Sequence, residues 1–313
     1  MALFVYESPK NPLSYTKTGI FVYENREAEL ERKSYICREM KRLLTLMAFA
    51  IVLSACGNSS TGRKGGYTVD ELWLRNGSNR IFGILYRPEG VKKAPLVIVS
   101  HGYGGTHQAG KAYAEALAPL GYAVYCYDFC GGSNDSRSDG ETTGMSIFSE
   151  AQDLKSVMDA LSKEDYIDKE HITLIGESQG GMVSSLVAAE RGSAIERLVL
   201  IYPALCIKDD WVGMYPALSD MPQEVDFWGL KLSHAYLEGL YDLDVYPTIS
   251  QYEGPVSIYH GDKDQVVNLS YSERAKAAYR NATLTVLPGE GHGFSAKAQQ
   301  EVIAAICQSL KGK

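Results

Sequence analysis

The sequence predicts an α/β protein in which a mostly parallel central sheet is covered by helices on both faces. From Tyr67 onward, short apolar runs alternate with segments of helical period, as expected when strands are buried on both faces. A glycine-flanked serine, Gly-Glu-Ser-Gln-Gly at 176–180, lies between one such strand and the helix after it. An aromatic-rich block at 203–249 interrupts the alternation once. We interpret this block as a helical lid inserted over the carboxyl ends of the strands.

Composition narrows the possible functions. The chain has 313 residues, of which 45% are hydrophobic, enough for a substantial core. Its net charge is −7 and its basic residues are not clustered, which argues against a nucleic-acid partner. Neither the six cysteines nor the six histidines have metal-ligand spacing. We therefore expect no metal, no cofactor and no structural disulfide; the sequence leaves the oligomeric state open.

The N-terminal region has a different character. Residues 1–39 show no regular period, whereas residues 40–56 combine a basic start with a mainly apolar run, Leu43–Ala55. At about 1.5 Å per residue this run spans about 20 Å, short of the roughly 30 Å hydrocarbon core of a membrane. It is typical of a signal peptide, which normally stands at the N-terminus of a protein. Because 39 residues precede it here, we hypothesise that Met40 is the native start and that residues 1–39 are a non-native extension.

The end of this apolar run carries a further signal. Leu53-Ser-Ala-Cys56 resembles the lipobox of bacterial lipoproteins, which implies that Cys56 is lipidated and becomes the mature N-terminus. The polar residues 57–66 are typical of a flexible tether. The expected location is the bacterial cell membrane or envelope, with the exported protein held by its lipid anchor.

The elements of the domain at 67–313 follow from periodicity and turn residues. Asn76-Gly77 between two alternating runs predicts an antiparallel hairpin. Apolar runs predict the later strands, and apolar residues at helical spacing predict the helices. The expected strands are Tyr67–Arg75, Arg80–Arg87, Pro95–Ser100, Tyr122–Tyr127, Ile172–Ile175, Arg197–Tyr202, Pro255–Tyr259 and Thr283–Leu287. The expected helices are Gln108–Ala118, Ile147–Leu161, Gly181–Arg191, Leu269–Tyr279 and one from about Ser295.

The G-x-S-x-G segment makes Ser178 a candidate nucleophile. A serine on a sharp turn between strand and helix needs small neighbours, and the following helix directs its N-terminal N–H groups towards the same point. Serine also needs a general base and an acid that orients the base. His292, in a glycine-rich loop after the last strand, is the candidate base. The acid should follow an earlier strand, which leaves Asp262 and Asp264 as candidates and Glu290 as a weaker one.

Two backbone amides are candidates for an oxyanion hole, the group of N–H donors that holds a developing negative oxygen. One belongs to Gln179, the residue after the nucleophile. The other belongs to Tyr103, in the His-Gly-Tyr-Gly-Gly turn after the strand Pro95–Ser100. The glycines of that turn allow the backbone to approach a substrate closely.

Four motifs in this order resemble the α/β-hydrolase superfamily over residues 67–313: His-Gly-Tyr-Gly-Gly, Gly-Glu-Ser-Gln-Gly-Gly, His-Gly-Asp-Lys-Asp-x-Val-Val and Gly-x-Gly-His. Within it, the Ser-Gln-Gly-Gly segment and the aromatic insertion are most similar to the small cinnamoyl or feruloyl esterases. That resemblance implies Asp264 as the catalytic acid, beside Ser178 and His292, with the Tyr103 and Gln179 amides as oxyanion donors. Glu177 departs from the family, which usually has histidine there, and puts the substrate preference in question.

The expected function is therefore a serine carboxylic-ester hydrolase that works through an acyl-enzyme on a small-molecule aromatic or short-chain ester. Two alternatives stay open. A peptidase, or a lysophospholipase or monoacylglycerol lipase, uses the same fold and triad, because pocket shape decides between these substrates. A degenerate hydrolase serving as an inactive surface binding protein is the alternative from another class.

Overall fold

The computed structural model describes residues 66–310, which form an eight-stranded sheet beside a separate two-stranded one. The large sheet has the order β1-β2-β4-β3-β5-β6-β9-β10. Strands β1 and β2 form the expected antiparallel hairpin, β2 pairs antiparallel with β4, and every later pair is parallel. The prediction of a mostly parallel sheet is thus confirmed. Its strands are β1 Tyr67–Asn76, β2 Asn79–Pro88, β3 Ala94–Ser100, β4 Ala123–Tyr127, β5 Ile167–Glu177, β6 Arg197–Ile201, β9 Val256–Gly261 and β10 Ala282–Leu287.

Alternate residues of the central strands face opposite sides of the sheet and enter two separate cores. In β3, Leu96 and Ile98 belong to one core, and Val97 and Val99 to the other. A strand buried on both faces needs apolar residues at every position, which is why these segments are continuous apolar runs rather than alternating ones. The helices then supply the outer layers of both cores.

The helices are α1 Lys111–Leu117, α2 Ile147–Leu161, α3 Gln179–Arg191, α4 Ile207–Met214, α5 His234–Leu237, α6 Val245–Ile249, α7 Leu269–Ala278 and α8 Ala296–Leu310. Helices α1 and α8 contribute the buried residues of one face, including Leu117 and Val302. Helices α2, α3 and α7 cover the other, with Leu154, Val183 and Ala275 among their buried side chains. The expectation of helices on both faces is confirmed.

Strand β5 is longer than its apolar run predicts. It begins at Ile167, and the register of its pairing with β3 shifts between Pro95 and Leu96. Residues 168–170 are charged and partly or fully exposed, so their strand conformation leaves no hydrophobic signal. Asp168 pairs with Pro95, and residues 169–171 lie at the register shift before pairing resumes at Ile172.

The segment 203–249 is not purely helical, so that part of the prediction is wrong. Besides short helices it contains an antiparallel pair, β7 Glu224–Phe227 and β8 Leu230–Ser233. The two strands are joined at Trp228-Gly229, where both residues have positive φ. Strands of four residues carry too few alternating positions to be recognised in a sequence.

The carboxyl ends of the parallel strands lie along one edge of the sheet. The segments carrying the candidate site residues follow β3, β5, β9 and β10 at that edge. Within residues 66–310, no helix is long and apolar enough to cross a membrane. The predicted signal peptide, the Cys56 lipobox and most of the tether lie outside the described residues. Among residues 66–310, Cys126, Cys130 and Cys206 are not part of a disulfide bond.

Candidate active site

Ser178 lies on a strained turn between β5 and α3. Its backbone has φ +49° and ψ −115°, a conformation that residues other than glycine rarely adopt. The surrounding chain holds it there: Ser178 N–H donates to the Ile201 carbonyl at 2.9 Å, and its own carbonyl accepts from the N–H groups of Gly181 and Ala204 at 3.0 and 2.8 Å. The side chain is therefore raised at the end of the strand and left half-buried.

At each glycine around Ser178, a neighbouring part of the chain comes too close for a side chain to fit. A Cβ at Gly176 would lie 2.3 Å from the Gly180 carbonyl oxygen, and one at Gly180 would lie 2.4 Å from the carbonyl oxygens of Ser100 and His101. At Gly181 it would lie 2.9 Å from the Pro203 side chain. The turn is possible only because these positions lack side chains.

Ser178, His292 and Asp264 form a continuous hydrogen-bonded chain. The Ser178 Oγ lies 3.0 Å from His292 Nε2, and His292 Nδ1 lies 2.8 Å from Asp264 Oδ2. The His292 side chain is 16% exposed and that of Asp264 is fully buried. The structure thus brings together the three predicted residues, in the geometry of a nucleophile, a base and an orienting acid.

The two competing acids serve other contacts. Asp262 accepts the Gly289 N–H at 2.7 Å, and Glu290 accepts the N–H and the hydroxyl of Ser295 at 2.6 and 2.7 Å, before α8. Neither is hydrogen-bonded to His292 in the described part of the chain. Of these three acids, only Asp264 is hydrogen-bonded to His292 in the described part of the chain.

Asp264 is held in its ionised form. Burial alone would raise its pKa, but hydrogen bonds from His260 and His292 outweigh burial and hold the pKa of this carboxyl well below its usual range. Its second oxygen, Oδ1, accepts the N–H groups of Val266 and Val267 at 2.8 and 2.9 Å. An ionised, immobile carboxylate fixes the His292 proton on Nδ1, leaving Nε2 free to accept one from Ser178.

The loop after β3 lies against the serine. A Cβ at Gly102 would be 3.1 Å from Ser178 Cβ and 3.7 Å from its Oγ, so the Tyr103 backbone follows directly beside the nucleophile. Among the described residues, neither Tyr103 N–H nor Gln179 N–H makes a turn or cap hydrogen bond. His101 supports this loop, with Nδ1 against the Gly102 carbonyl at 2.7 Å and Nε2 accepting the Phe129 N–H at 3.2 Å.

Aromatic side chains of the insertion surround Tyr103. Its ring makes edge contacts with Phe227 and Trp228 at centroid distances of 5.7 and 5.9 Å, and its hydroxyl donates to the Phe227 carbonyl at 2.7 Å. Trp211 packs on Phe227 at 4.9 Å. The insertion therefore builds an aromatic wall on the predicted oxyanion loop.

Sequence reasoning missed the side chains that support the triad from below. Tyr202 directly follows β6, has φ +36°, and packs its ring against His292 at a centroid distance of 4.5 Å. Glu150 and Tyr236 are buried beside Gln179. No spacing or motif distinguishes these residues from ordinary core positions, so only the folded chain reveals their contacts.

Glu177, the departure from the family pattern, is buried beneath the nucleophile. It accepts a hydrogen bond from the Tyr113 hydroxyl at 2.7 Å. Burial raises the pKa of Glu177 to about 7, against the opposing effect of hydrogen bonds from Tyr113 and Tyr202. The ordinary pKa of a glutamate is 4.5. Between pH 4.5 and about pH 7, Glu177 is therefore protonated in the folded protein but ionised in the unfolded chain.

Glu177→Gln should therefore change how stability depends on pH. In the wild type, the stabilising effect of this retained proton is complete below pH 4.5 and is lost as pH rises through about 7. The lost free energy of unfolding is on the order of 3 kcal/mol, from a shift of between two and three pKa units. The variant lacks this loss, so it should gain stability relative to wild type between pH 4 and pH 8.

Denaturant unfolding of both proteins across that pH range measures the difference. Glu115→Gln, at an exposed position on α1, is the matched control and should leave the pH dependence unchanged. A constant difference between Glu177→Gln and wild type at all pH values would contradict the prediction.

Comparison with known proteins found a matching family model and several similar chains. The family model for serine aminopeptidase, S33, matches residues 92–240. The solved structure of Est1E from Butyrivibrio proteoclasticus with ferulic acid bound has a TM-score of 0.69 and 26% identity, covering 77% of this chain and 100% of that one. Monoglyceride lipase of Mus musculus is 36% identical over 127 residues, 39% of either chain. An uncharacterised Mycobacterium tuberculosis protein is 27% identical over 264 residues, 83% of this chain and 82% of that one.

The sheet order, the strand-end position of the serine and these similarities lead to one conclusion. The chain has the α/β-hydrolase fold.

Proposed function

We propose that this protein is a serine hydrolase that cleaves carboxylic esters through an acyl-enzyme. The observation that carries the proposal is the hydrogen-bonded chain from Ser178 Oγ through His292 to the buried Asp264 carboxylate. A serine with a base at 3.0 Å and an oriented imidazole has what nucleophilic attack on a carbonyl requires.

The reaction follows from the positions of these groups. Ser178 Oγ attacks the ester carbonyl carbon while His292 Nε2 takes its proton, and Asp264 stabilises the resulting imidazolium. The carbonyl oxygen becomes negative and is held by the Tyr103 and Gln179 N–H groups. As the tetrahedral intermediate collapses, His292 returns the proton to the leaving alcohol. Water then repeats the sequence on the acyl-Ser178 ester, releasing the acid and restoring the serine.

Aromatic acyl esters of the hydroxycinnamoyl type are the substrates we favour. The support is the aromatic wall of Tyr103, Phe227 and Trp228 on the predicted oxyanion loop, together with the similarity to Est1E, whose structure holds ferulic acid. A flat conjugated ring gains both buried area and edge contacts against such a wall.

Monoacylglycerol hydrolysis is the second candidate, supported by the 36% identity to mouse monoglyceride lipase. That similarity covers 39% of either chain, and the shape of the substrate pocket decides between ester substrates. Peptide hydrolysis is the third, named by the matching family model.

A substrate panel tests the proposal. Hydrolysis rates of the protein are compared on methyl ferulate, a short-chain nitrophenyl ester, a monoacylglycerol and an aminoacyl anilide. We expect the highest kcat/KM on methyl ferulate. A preference for the monoacylglycerol or the anilide would show that aromatic esters are not the substrate class. Failure to hydrolyse any of these substrates, or to react with a fluorophosphonate, would favour an inactive binding protein.

We also propose that the protein is exported and anchored by a lipid on Cys56, as the sequence predicts. Mass analysis of the native N-terminus checks this: a diacylglyceryl-modified Cys56 supports the anchor, and an unmodified Cys56 following residues 1–55 contradicts it.

A further inference from the structure

The side chain of Gln179 is fully engaged although its expected catalytic group is its backbone N–H. The residue is 2% exposed, so its side chain cannot reach a substrate. Its Nε2 donates to Glu150 Oε2 at 2.8 Å, and its Oε1 accepts from the Tyr236 hydroxyl at 2.6 Å. Because both the nitrogen and the oxygen of this amide are hydrogen-bonded, the side chain restrains the backbone of Gln179, the first residue of α3.

Tyr236 comes from the insertion and contacts the side chains of Gln179 and Tyr103, the two residues whose backbone N–H groups are the expected oxyanion donors. Its hydroxyl binds the Gln179 side chain, and its ring meets the Tyr103 ring edge-on, with centroids 6.4 Å apart. Trp211, also of the insertion, packs on the other side of Tyr236 at 4.7 Å. Tyr236 is 2% exposed, so these contacts are internal and independent of any ligand.

Glu150, on α2, completes the chain of contacts through its hydrogen bond with Gln179. It is 1% exposed, and burial raises its pKa well above the ordinary value, which favours the neutral carboxylic acid over the carboxylate. Asp153, one turn along α2, adds to that effect, whereas the Gln179 hydrogen bond opposes it. A carboxylate here would oppose negative charge developing on a nearby oxyanion; a neutral acid offers the same acceptor without that cost.

We infer that Tyr236, Gln179 and Glu150 form a positioning chain through which the insertion sets the geometry of the oxyanion hole. Tyr236 and Glu150 touch no reacting atom; they act by orienting the Gln179 and Tyr103 backbone. The inference rests on the proposed function, because it concerns the same reaction. It gives the insertion a role in transition-state stabilisation in addition to shaping the substrate pocket.

Tyr236→Phe is the direct test, because it removes one hydroxyl and keeps the ring. The matched control is Tyr241→Phe, an insertion tyrosine whose hydroxyl donates to the Tyr215 carbonyl, also in the insertion, at 2.8 Å. Losing an oxyanion donor costs about 10²–10³-fold in kcat, so a displaced donor should cost about 10- to 100-fold. We expect Tyr236→Phe to lower kcat by that factor with KM within about twofold, and Tyr241→Phe to change neither.

Affinity for a boronic acid that mimics the tetrahedral intermediate gives an independent readout. It should fall in Tyr236→Phe by the same factor as kcat, because both depend on the oxyanion contacts. Active-site titration by a nitrophenyl ester burst corrects every rate for the fraction of folded enzyme, and all assays are run well below the melting temperature of the least stable variant.

Glu150 supplies a second pair of variants. Glu150→Gln keeps an acceptor for Gln179 and should retain kcat within about twofold, whereas Glu150→Leu removes the acceptor and should lower kcat as Tyr236→Phe does. The inference is overturned if Tyr236→Phe matches Tyr241→Phe, if its loss appears in KM with boronic-acid affinity unchanged, or if Glu150→Gln loses as much as Glu150→Leu. Failure of the proposed function itself is distinguishable, because the wild type would then show no ester turnover and no burst.

Discussion

Ser178→Ala is expected to reduce ester turnover by about 10⁶-fold, by analogy with serine hydrolases in which the nucleophile has been removed. The reason is that the covalent route is lost, and only the oxyanion amides and substrate binding remain to act. The protein should stay folded, because the contacts that hold the turn are made by the Ser178 backbone with Ile201, Gly181 and Ala204. The measurement is kcat on the preferred ester of the panel, with a melting curve for each protein.

Ser184→Ala is the matched control for this experiment. Ser184 is buried in α3, six positions after the nucleophile in the sequence, and its hydroxyl has no hydrogen-bond partner in the described structure. It should retain wild-type kcat. A fluorophosphonate should label the wild type and Ser184→Ala but not Ser178→Ala. Turnover retained in Ser178→Ala would refute the nucleophile assignment.

Asp264→Asn should give the second largest loss, about 10⁴-fold in kcat. The amide group can keep one oxygen for the Val266 and Val267 N–H groups, so the loop should survive. Its NH₂ group then faces His292 Nδ1 and forces the proton onto Nε2, the atom that must accept the proton of Ser178. Loss of activity with an intact fold is therefore expected.

Asp262→Asn separates this effect from a general effect of charge in the same loop. Asp262 accepts the Gly289 N–H, which an asparagine oxygen can also accept, so kcat should stay within a few-fold of the wild type. Both variants are compared by steady-state kinetics and circular dichroism. The assignment fails if Asp262→Asn is the inactive variant or if Asp264→Asn retains full activity.

Much of the fold could be predicted from local pattern. Strand β3 and its neighbours are apolar at successive positions, because both faces are covered, and the structure has them as strands. The antiparallel hairpin followed from Asn76-Gly77, whose turn brings Asn76 and Asn79 into register. The charged beginning of β5 and the four-residue strands of the insertion could not be predicted, because neither leaves a hydrophobic period.

The sequence by itself determined which residue types stand after which strands. That order identified Ser178 as the candidate nucleophile and His292 as the candidate base, because the carboxyl ends of parallel strands lie at one edge of the sheet. It could not choose among Asp262, Asp264 and Glu290, since all three lie within reach in the chain; the family resemblance pointed to Asp264, and the fold places that residue alone against His292.

Only the tertiary structure decided what surrounds that triad. Tyr202 against His292, Tyr113 on Glu177, and Tyr236 with Glu150 on Gln179 are contacts between residues separated by 29 to 90 positions. Side-chain hydrogen bonds of this kind depend on how helices and the insertion pack on the sheet, which no local periodicity encodes. The motifs therefore predicted the candidate catalytic residues. The side chains that contact and position those residues could be identified only from the tertiary packing.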